Sequence, residues 1–592
     1  VAFDPVASPS GVKTASAIAN QRLAGILQPV FSIRTSDDLG IGDTDGVRQL
    51  VDWCHRHGVG LLQILPINQT GPDHCPYHAI SALAIDPVTL AVSPRHIPDL
   101  TVADFNQLAR PKLLAALRAG PVNYPRVKAL KLALLECAFD QFTRHHLENR
   151  TSRAAEFQQF AAHHSAWLCD YALFRALMTE NNEAPDWERW PATHQYPARA
   201  RRWVLALPPA HRARFQRHEL FFMYVQWLAF GQWQALKDHA ARKHVALMGD
   251  IPIGIGRCSA DVWSQRANFD LNWSAGAPPE KLFRTNAFAR KWGQNWGTPL
   301  YRWNEMRRRD FDWWRTRVGL ARQIFDLCRL DHVMGLFRLY AFPWTSDHDA
   351  DFLPLNPMQA ARRTGGRLPG FRPFPDDTAP HAAANQRRGE EFLRVILDAA
   401  GKMTIVAEDL GFVPDYVRPT LQKLGIPGFR VPGLCRDPDG SYSDPAGYPR
   451  LSVTQPSTHD HPPLAAAWAA NWQNIRRGRD TKESRAELRR AMEFAGLQGQ
   501  PMRKYSDSLH QAMLRAALRS NSDLAVVLLA DVFGQTTRCN LPGTVSRKNW
   551  SARMTVPVEK LDRDPVLRAK TVSFSKLIRE TGRLTRRTNS KK

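Results

Sequence analysis

The sequence predicts an α/β protein: a (β/α)8 TIM barrel with a large helical insertion between its second and third strands and long loops at its active face. Three observations predict this. Eight short apolar runs read as strands, with helical patterns between them. The chain opens with a strand, a helix and a second strand, the order of a parallel β/α unit. Three of the runs end in carboxylates followed by loop-like residues, as expected where the C-terminal strand ends of a barrel meet at one face.

GILQPVFSI (25–33) is the first predicted strand. DGVRQLVDWCHRHG (45–58) predicts a helix, with Val47, Leu50, Val51 and Cys54 on one apolar stripe and Gly58 as its stop. GLLQILPI (60–67) is the second strand. From about 105 to 240 the pattern is helical, as in KALKLALLECAFDQF and FFMYVQWLAFGQWQALKDHAARK. HVALMGDIPIGI (244–255) is the third strand. FDWWRTRVGLARQIF (311–325) is amphipathic, with Phe311, Trp314, Val318, Ala321 and Phe325 on one face. The fourth strand leads into Asp331 and the fifth into Glu408. GFRVPGL (428–434), LSVTQPS (451–457) and DLAVVLLADV (523–532) are the sixth to eighth. The Pro-, Gly- and Arg-containing stretch 343–386 is expected to be a loop at the active face. The expected organisation is a loose arm over 1–22, barrel over 23–95, a helical insertion subdomain over 96–243, the rest of the barrel over 244–570 and a basic disordered tail over 571–592.

With 592 residues, 43% of them hydrophobic, the chain can bury a large core. No apolar run approaches the ~18 residues that span a bilayer. VAFDPVASPSGVK lacks the basic-then-apolar pattern of a secretory signal. The eight cysteines form no C-x-x-C pair, so neither a zinc site nor a disulfide framework is indicated. Reduced thiols in the cytoplasm are the expectation. A formal net charge of +24 raises the question of nucleic acid. The basic residues are mostly dispersed arginines, however. The cluster RRGRDTKESRAELRR (476–490) is interleaved with acids, as a solvated helix face is, and no nucleic-acid module is recognisable.

RLDHVMG (329–335) places Arg329 and Asp331 two positions apart at the end of an apolar run. On a strand, residues i and i+2 share a side, so the guanidinium would sit against the carboxylate and keep it ionised. Asp331 is then a candidate nucleophile; a structural ion pair at the barrel rim is the alternative. TIVAEDLG (404–411) ends in Glu408 and Asp409, and SVTQPSTHD (452–460) in His459 and Asp460. Converging carboxylates suggest glycosidic-bond chemistry, which needs one ionised and one protonated carboxyl flanking the bond.

Taken together, the motifs resemble the amylomaltases, the 4-α-glucanotransferases or disproportionating enzymes of the α-amylase-like barrels. The resemblance runs from about 25 to 555 and is weakest over 95–235. SIRTSDDLGIGD (32–43), LLQILPINQTG…PYHAISALAIDP (61–87), GDIPIGI…SADVW (249–263) and GAPPE…GQNWGTPLYRW (276–303) carry it, in the family's order. RLDHVMG, AEDLG, PSTHD and NLPGT…NW (540–550) complete the set. The resemblance implies that Asp331 is the nucleophile, Glu408 the general acid/base and Asp460 the third carboxylate. It implies that Arg329 and His459 surround the cleaved sugar, that Tyr77 is a platform beneath it, and that Asp250 and His332 support it. Gln294 and Trp296 match a mobile segment on the acceptor side, and Asp409 joins the expected substrate-binding group. The implied activity is retaining transfer of a glucan segment from a maltooligosaccharide or starch-like donor to the 4-hydroxyl of a glucose or glucan acceptor. No cofactor or metal, membrane or specific nucleic-acid partner is implied.

The chain departs from the family pattern in places. Glu280 replaces an Asp, Gly256-Arg257-Cys258 precedes Ser-Ala-Asp-Val-Trp, His461-Pro462-Pro463 follows Asp460, and Val333-Met334 stands where Phe-Arg is common. These bear on acceptor and chain-length preference and leave the three carboxylates in place.

Overall fold

The computed structural model describes residues 21–280, 286–544 and 546–584. The N-terminal arm, apart from Gln21 and Arg22, and the last residues of the expected tail, 585–592, lie outside them. Eight strands close a parallel barrel in sequence order: β1 (Leu23–Leu27), β2 (Leu61–Gln63), β3 (Ala246–Ile251), β4 (Leu327–Leu330), β5 (Thr404–Ala407), β6 (Gly428–Arg430), β7 (Ser452–Thr454) and β8 (Leu524–Leu528). The seam is made by β1 and β8, with Leu23 opposite Leu524 and Leu27 opposite Leu528.

Every expected strand is present, and most are shorter than their apolar runs. Proline explains this at five of the eight exits: Pro29, Pro66, Pro252, Pro432 and Pro456 each follow within three residues of the ladder's end. Proline has no N–H to give the ladder, so pairing stops there. The run continues beyond because residues such as Ile33, Leu65 and Ile253 remain buried under the active-face loops. The last run turns instead into a short helix, Leu529–Val532. Helix α1 (Thr44–His57) is capped by Asp43, which accepts from the Asp45 and Gly46 N–H groups, and ends at Gly58 in the left-handed region (φ 75°).

Between β2 and β3 lie seven helices, from Val102–Leu108 to the 34-residue Pro209–Arg242. They join the barrel's hydrophobic core rather than forming their own. Polar ties fix them to the loop after β2. The buried Gln226 side chain accepts from Ile85 N–H and donates to Ile85 O, both at 2.9 Å. The buried Lys131 donates to Val88 O and Leu90 O at 2.6 and 2.7 Å.

Over the β3 and β4 ends stands a second, antiparallel sheet. Its strands run in the order Gln294–Tyr301, Phe269–Ala277, Leu339–Phe342 and Gly370–Arg372. The stretch 343–386 is therefore not a plain loop. It carries helices Asp349–Phe352 and Pro357–Arg363, the strand Gly370–Arg372 and the start of helix Ala379–Ala400. Helices Leu464–Arg476, Thr481–Phe494 and Asp507–Arg519, between β7 and β8, enclose a smaller apolar cluster around Trp468, Leu488 and Met513.

The expected tail needs correction as well. Helix Pro565–Glu580 crosses its boundary at 571 and buries Phe574, Leu577 and Ile578 on the barrel. Arg583, fully buried, donates to Leu518 O, Ser520 O and Ser522 O, and to Leu23 O and Asp523 O at the β1–β8 seam. Its guanidinium geometry, five donors in a fixed fork, suits a floor of strand-end carbonyls. Composition misled here because basic residues are normally solvated, whereas this one caps backbone. All eight cysteines are free. Among the described residues no helix is long and apolar enough to cross a membrane.

Candidate active site

The C-terminal ends of β3, β4 and β5 are neighbours, so Asp250, Arg329, Asp331 and Glu408 come together. The Asp331 N–H donates to Ile251 O, extending the ladder one residue past β4. Arg329 is the hub. Its Nη1 lies 2.9 and 2.8 Å from the two Asp250 carboxylate oxygens, and its Nη2 lies 2.6 Å from Asp331 Oδ1. The expected i, i+2 pair is thus present, and Asp250 makes it a triad. Burial works against the Arg329 charge, but Asp250 and Asp331 overcome it and hold the guanidinium cationic.

Asp331 remains partly open to the mouth, its side chain 23% exposed. Glu408 is buried. Its carboxylate accepts from the His332 N–H at 2.8 Å and the Leu410 N–H at 2.9 Å. His332 itself adopts a left-handed conformation (φ 45°), rare for non-glycine residues. Burial pushes Glu408 up to about 7; Arg329 opposes this and the Asp331 charge adds to it. Burial likewise pushes Asp250 up to about 6 against Arg329. The His332 ring is pushed down to about 4 by burial, so it is neutral at pH 7.

Tyr77, on the loop after β2, donates its hydroxyl to Asp250 Oδ2 at 2.7 Å and stacks on His459 with centroids 5.0 Å apart. His459 Nε2 stands 3.2 Å from Asp460 Oδ2. Asn540 donates to Asp460 Oδ1 at 2.6 Å, and Arg538 donates to the Asp460 carbonyl. Burial acts to raise Asp460, but His459, Asn540 and Arg329 prevail and hold it well below the usual carboxylate range. Arg329 therefore acts electrostatically on all three catalytic candidates. The arrangement holds one carboxylate paired with a guanidinium, one proton-retaining carboxyl and one firmly ionised carboxylate, with the Asp331 and Asp460 side chains both partly exposed. That is the division glycosidic-bond chemistry requires.

A family model described as 4-alpha-glucanotransferase, of glycoside hydrolase type 77, matches residues 28–559. The chain belongs to this 4-alpha-glucanotransferase family. A 4-alpha-glucanotransferase of Chlamydia caviae is 31% identical over 551 residues, covering 91% of each chain. That of Aquifex aeolicus is 28% identical over 544 residues, covering 90% of this chain and 95% of the other. Two solved structures share the fold. The amylomaltase from Streptococcus agalactiae in complex with acarbose has a TM-score of 0.72 at 21% identity, over 95% of this chain and 100% of the other. The amylomaltase from Corynebacterium glutamicum has 0.74 at 21%, over 94% and 75%.

In this glucanotransferase the remaining expected residues divide. Trp296 reaches the group, its ring edge-on to His332 with centroids 5.0 Å apart. Gln294 lies on the same strand, opposite Ala277. Asp409 does not face the group. It is fully buried and accepts from the Phe429 N–H at 2.6 Å, Arg418 Nε at 2.9 Å and Arg430 Nη1 at 3.2 Å. Consecutive side chains at a strand end point to opposite sides, so Glu408 and Asp409 could not both enter the mouth. Asp409 instead ties β5 to β6. Sequence reasoning assigned no role to Asn540, Arg538 or Trp550, whose ring lies 5.9 Å from that of Tyr77. The motif NLPGT…NW was the available signal, without a partner to give it meaning.

Proposed function

We propose that this glucanotransferase moves an α-1,4-glucan segment from a maltooligosaccharide or starch-like donor to the 4-hydroxyl of a glucose or glucan acceptor, with retention at the transferred sugar. The observation that carries the reading is Asp331 paired with Arg329 beside a Glu408 carboxyl pushed up to about 7. Asp331 attacks the anomeric carbon while Glu408 gives its proton to the glycosidic oxygen, and the leaving glucan departs. The acceptor hydroxyl then gives its proton to the Glu408 carboxylate and displaces Asp331. Asp460, ionised and oriented by Asn540, binds sugar hydroxyls and steadies the positive charge that develops on the ring. Tyr77 supplies an aromatic surface for the sugar. The free cysteines fit a reducing compartment, and the cytoplasm is the proposed location.

Purified protein incubated with maltotriose is expected to give glucose together with longer oligomers. New reducing ends without longer products would make water the acceptor and overturn the transfer reading. Asp331→Ala is expected to abolish turnover and leave glucan binding, read by calorimetry. Full activity in that variant would remove Asp331 from the mechanism.

A further inference from the structure

One phenylalanine on the described surface presents an open face to solvent. Phe412 is 70% exposed, and among the described residues it is the only phenylalanine or tryptophan in the exposed class. It sits four residues beyond Glu408, on the loop that leaves β5. Four residues reach at most about 14 Å, so the ring stands within a few sugar units of the bond that Glu408 would protonate.

The ring is held by a built base. Phe371, on the Gly370–Arg372 strand of the second sheet, lies near-parallel to it, with centroids 6.5 Å apart and an interplanar angle of 28°. The buried Arg338 lies beneath the pair, its guanidinium carbon 3.7 Å from the Phe371 centroid and 5.5 Å from that of Phe412. Arg338 is fixed by Asp376, 2.7 Å from its Nε, and by a hydrogen bond donated to Pro375 O at 3.2 Å. Asp376 in turn accepts from the Tyr416 hydroxyl at 2.9 Å and the Asn385 amide at 2.7 Å. Tyr340 meets Phe371 edge-on at 5.3 Å, which closes the other flank. A ring held this way loses little freedom when a ligand stacks on it, and preorganisation of this kind favours binding.

The position selects the ligand. Glu408 must touch the glycosidic oxygen, give it a proton and later take one from the incoming hydroxyl. In the transfer reading, the loop that carries Glu408 onward belongs to the side of the leaving and incoming glucan. An exposed ring suits the apolar face of a pyranose. From this geometry we infer that Phe412, backed by Phe371 and Arg338, is a platform for a distal glucose unit of a long acceptor, so that it sets acceptor-length preference. The inference rests on the transfer reading given above.

The test compares acceptors of two lengths. With maltotriose as donor, labelled glucose and labelled maltohexaose are offered separately, and initial elongation gives kcat/KM for each. Phe412→Ala is expected to lower the ratio of maltohexaose to glucose on the order of tenfold, mainly through KM, and Phe412→Trp to restore it. An unchanged ratio, or equal loss with both acceptors, would overturn the platform. Failure of the transfer reading itself is distinguishable, because it would show as elongation of neither acceptor by the wild-type protein.

Discussion

Following the first chemical step through neutral pH, in the wild-type protein and in Glu408→Gln, tests the acid directly. Burial lifts Glu408 from 4.5 to about 7, with Arg329 opposing and Asp331 reinforcing. That difference favours the protonated carboxyl by about 3 kcal/mol, so at pH 6 most molecules hold the proton. kcat/KM on maltotriose reports the free enzyme. It should fall about tenfold per pH unit above a midpoint at about 7. In Glu408→Gln this limb should vanish, with a loss of about 10²–10⁴-fold. A maltosyl fluoride donor needs no proton on its leaving group, so its first step should survive the substitution. Stability adds a second readout. A carboxyl whose folded-state pKa is raised contributes stability that is complete below about 4.5 and is lost as pH rises through about 7. The glutamine variant cannot ionise, so its melting temperature should decline less across that interval than the wild type's. A kcat/KM that stays flat from about pH 6 to 9, or an identical alkaline limb in Glu408→Gln, would refute the assignment of Glu408.

The other predictions concern positioning and stability. Tyr77→Phe removes the 2.7 Å hydrogen bond to Asp250; steady-state kinetics should show a transition-state loss of about 1.5–3 kcal/mol with an unchanged circular dichroism spectrum. Asp409→Ala strands the Phe429 N–H and leaves Arg430 short of its counter-ion. Denaturant unfolding should show a loss of roughly 3 kcal/mol, while the folded fraction keeps its KM for glucan, and a changed KM at full stability would return Asp409 to the substrate site. Arg583→Ala removes the guanidinium from the carbonyls of Leu518, Ser520, Ser522, Leu23 and Asp523, of which Ser520 O keeps Arg22 and Asp523 O keeps the Leu23 N–H. It should cost at least about 3 kcal/mol of stability, measured as a fall in melting temperature, with kcat unaffected at low temperature.

The barrel was legible because each strand is a short apolar run with a break after it, and because carboxylates at three exits marked one face. The Arg329–Asp331 pair followed from strand periodicity alone. Asp250 was legible only through resemblance, since its partner Arg329 is 79 residues away. The second sheet escaped because its strands, FDLNWSAGA and QNWGTPLY, carry Gly, Pro and Asn, and their pairing is interrupted by bulges. Tertiary support, not local propensity, makes them strands. Asp409 was misplaced because two adjacent acids were read as one motif, although alternation of sides already separated them. Arg583 was taken for a disordered charge because composition does not reveal a floor of backbone carbonyls waiting for a cation.

The clasp that Arg583 makes at the β1–β8 seam has a consequence for biogenesis. The first ladder partner of β1 to leave the ribosome is β2, yet its other neighbour is translated some five hundred residues later. Until then the nascent cylinder has an unzipped edge on β1, of the kind that invites mispairing. Closure brings together distant parts of the chain, which is slow for entropic reasons. The latch that secures it is synthesised later still. A chain halted after β8 but before residue 583 would own all eight staves and lack the hoop.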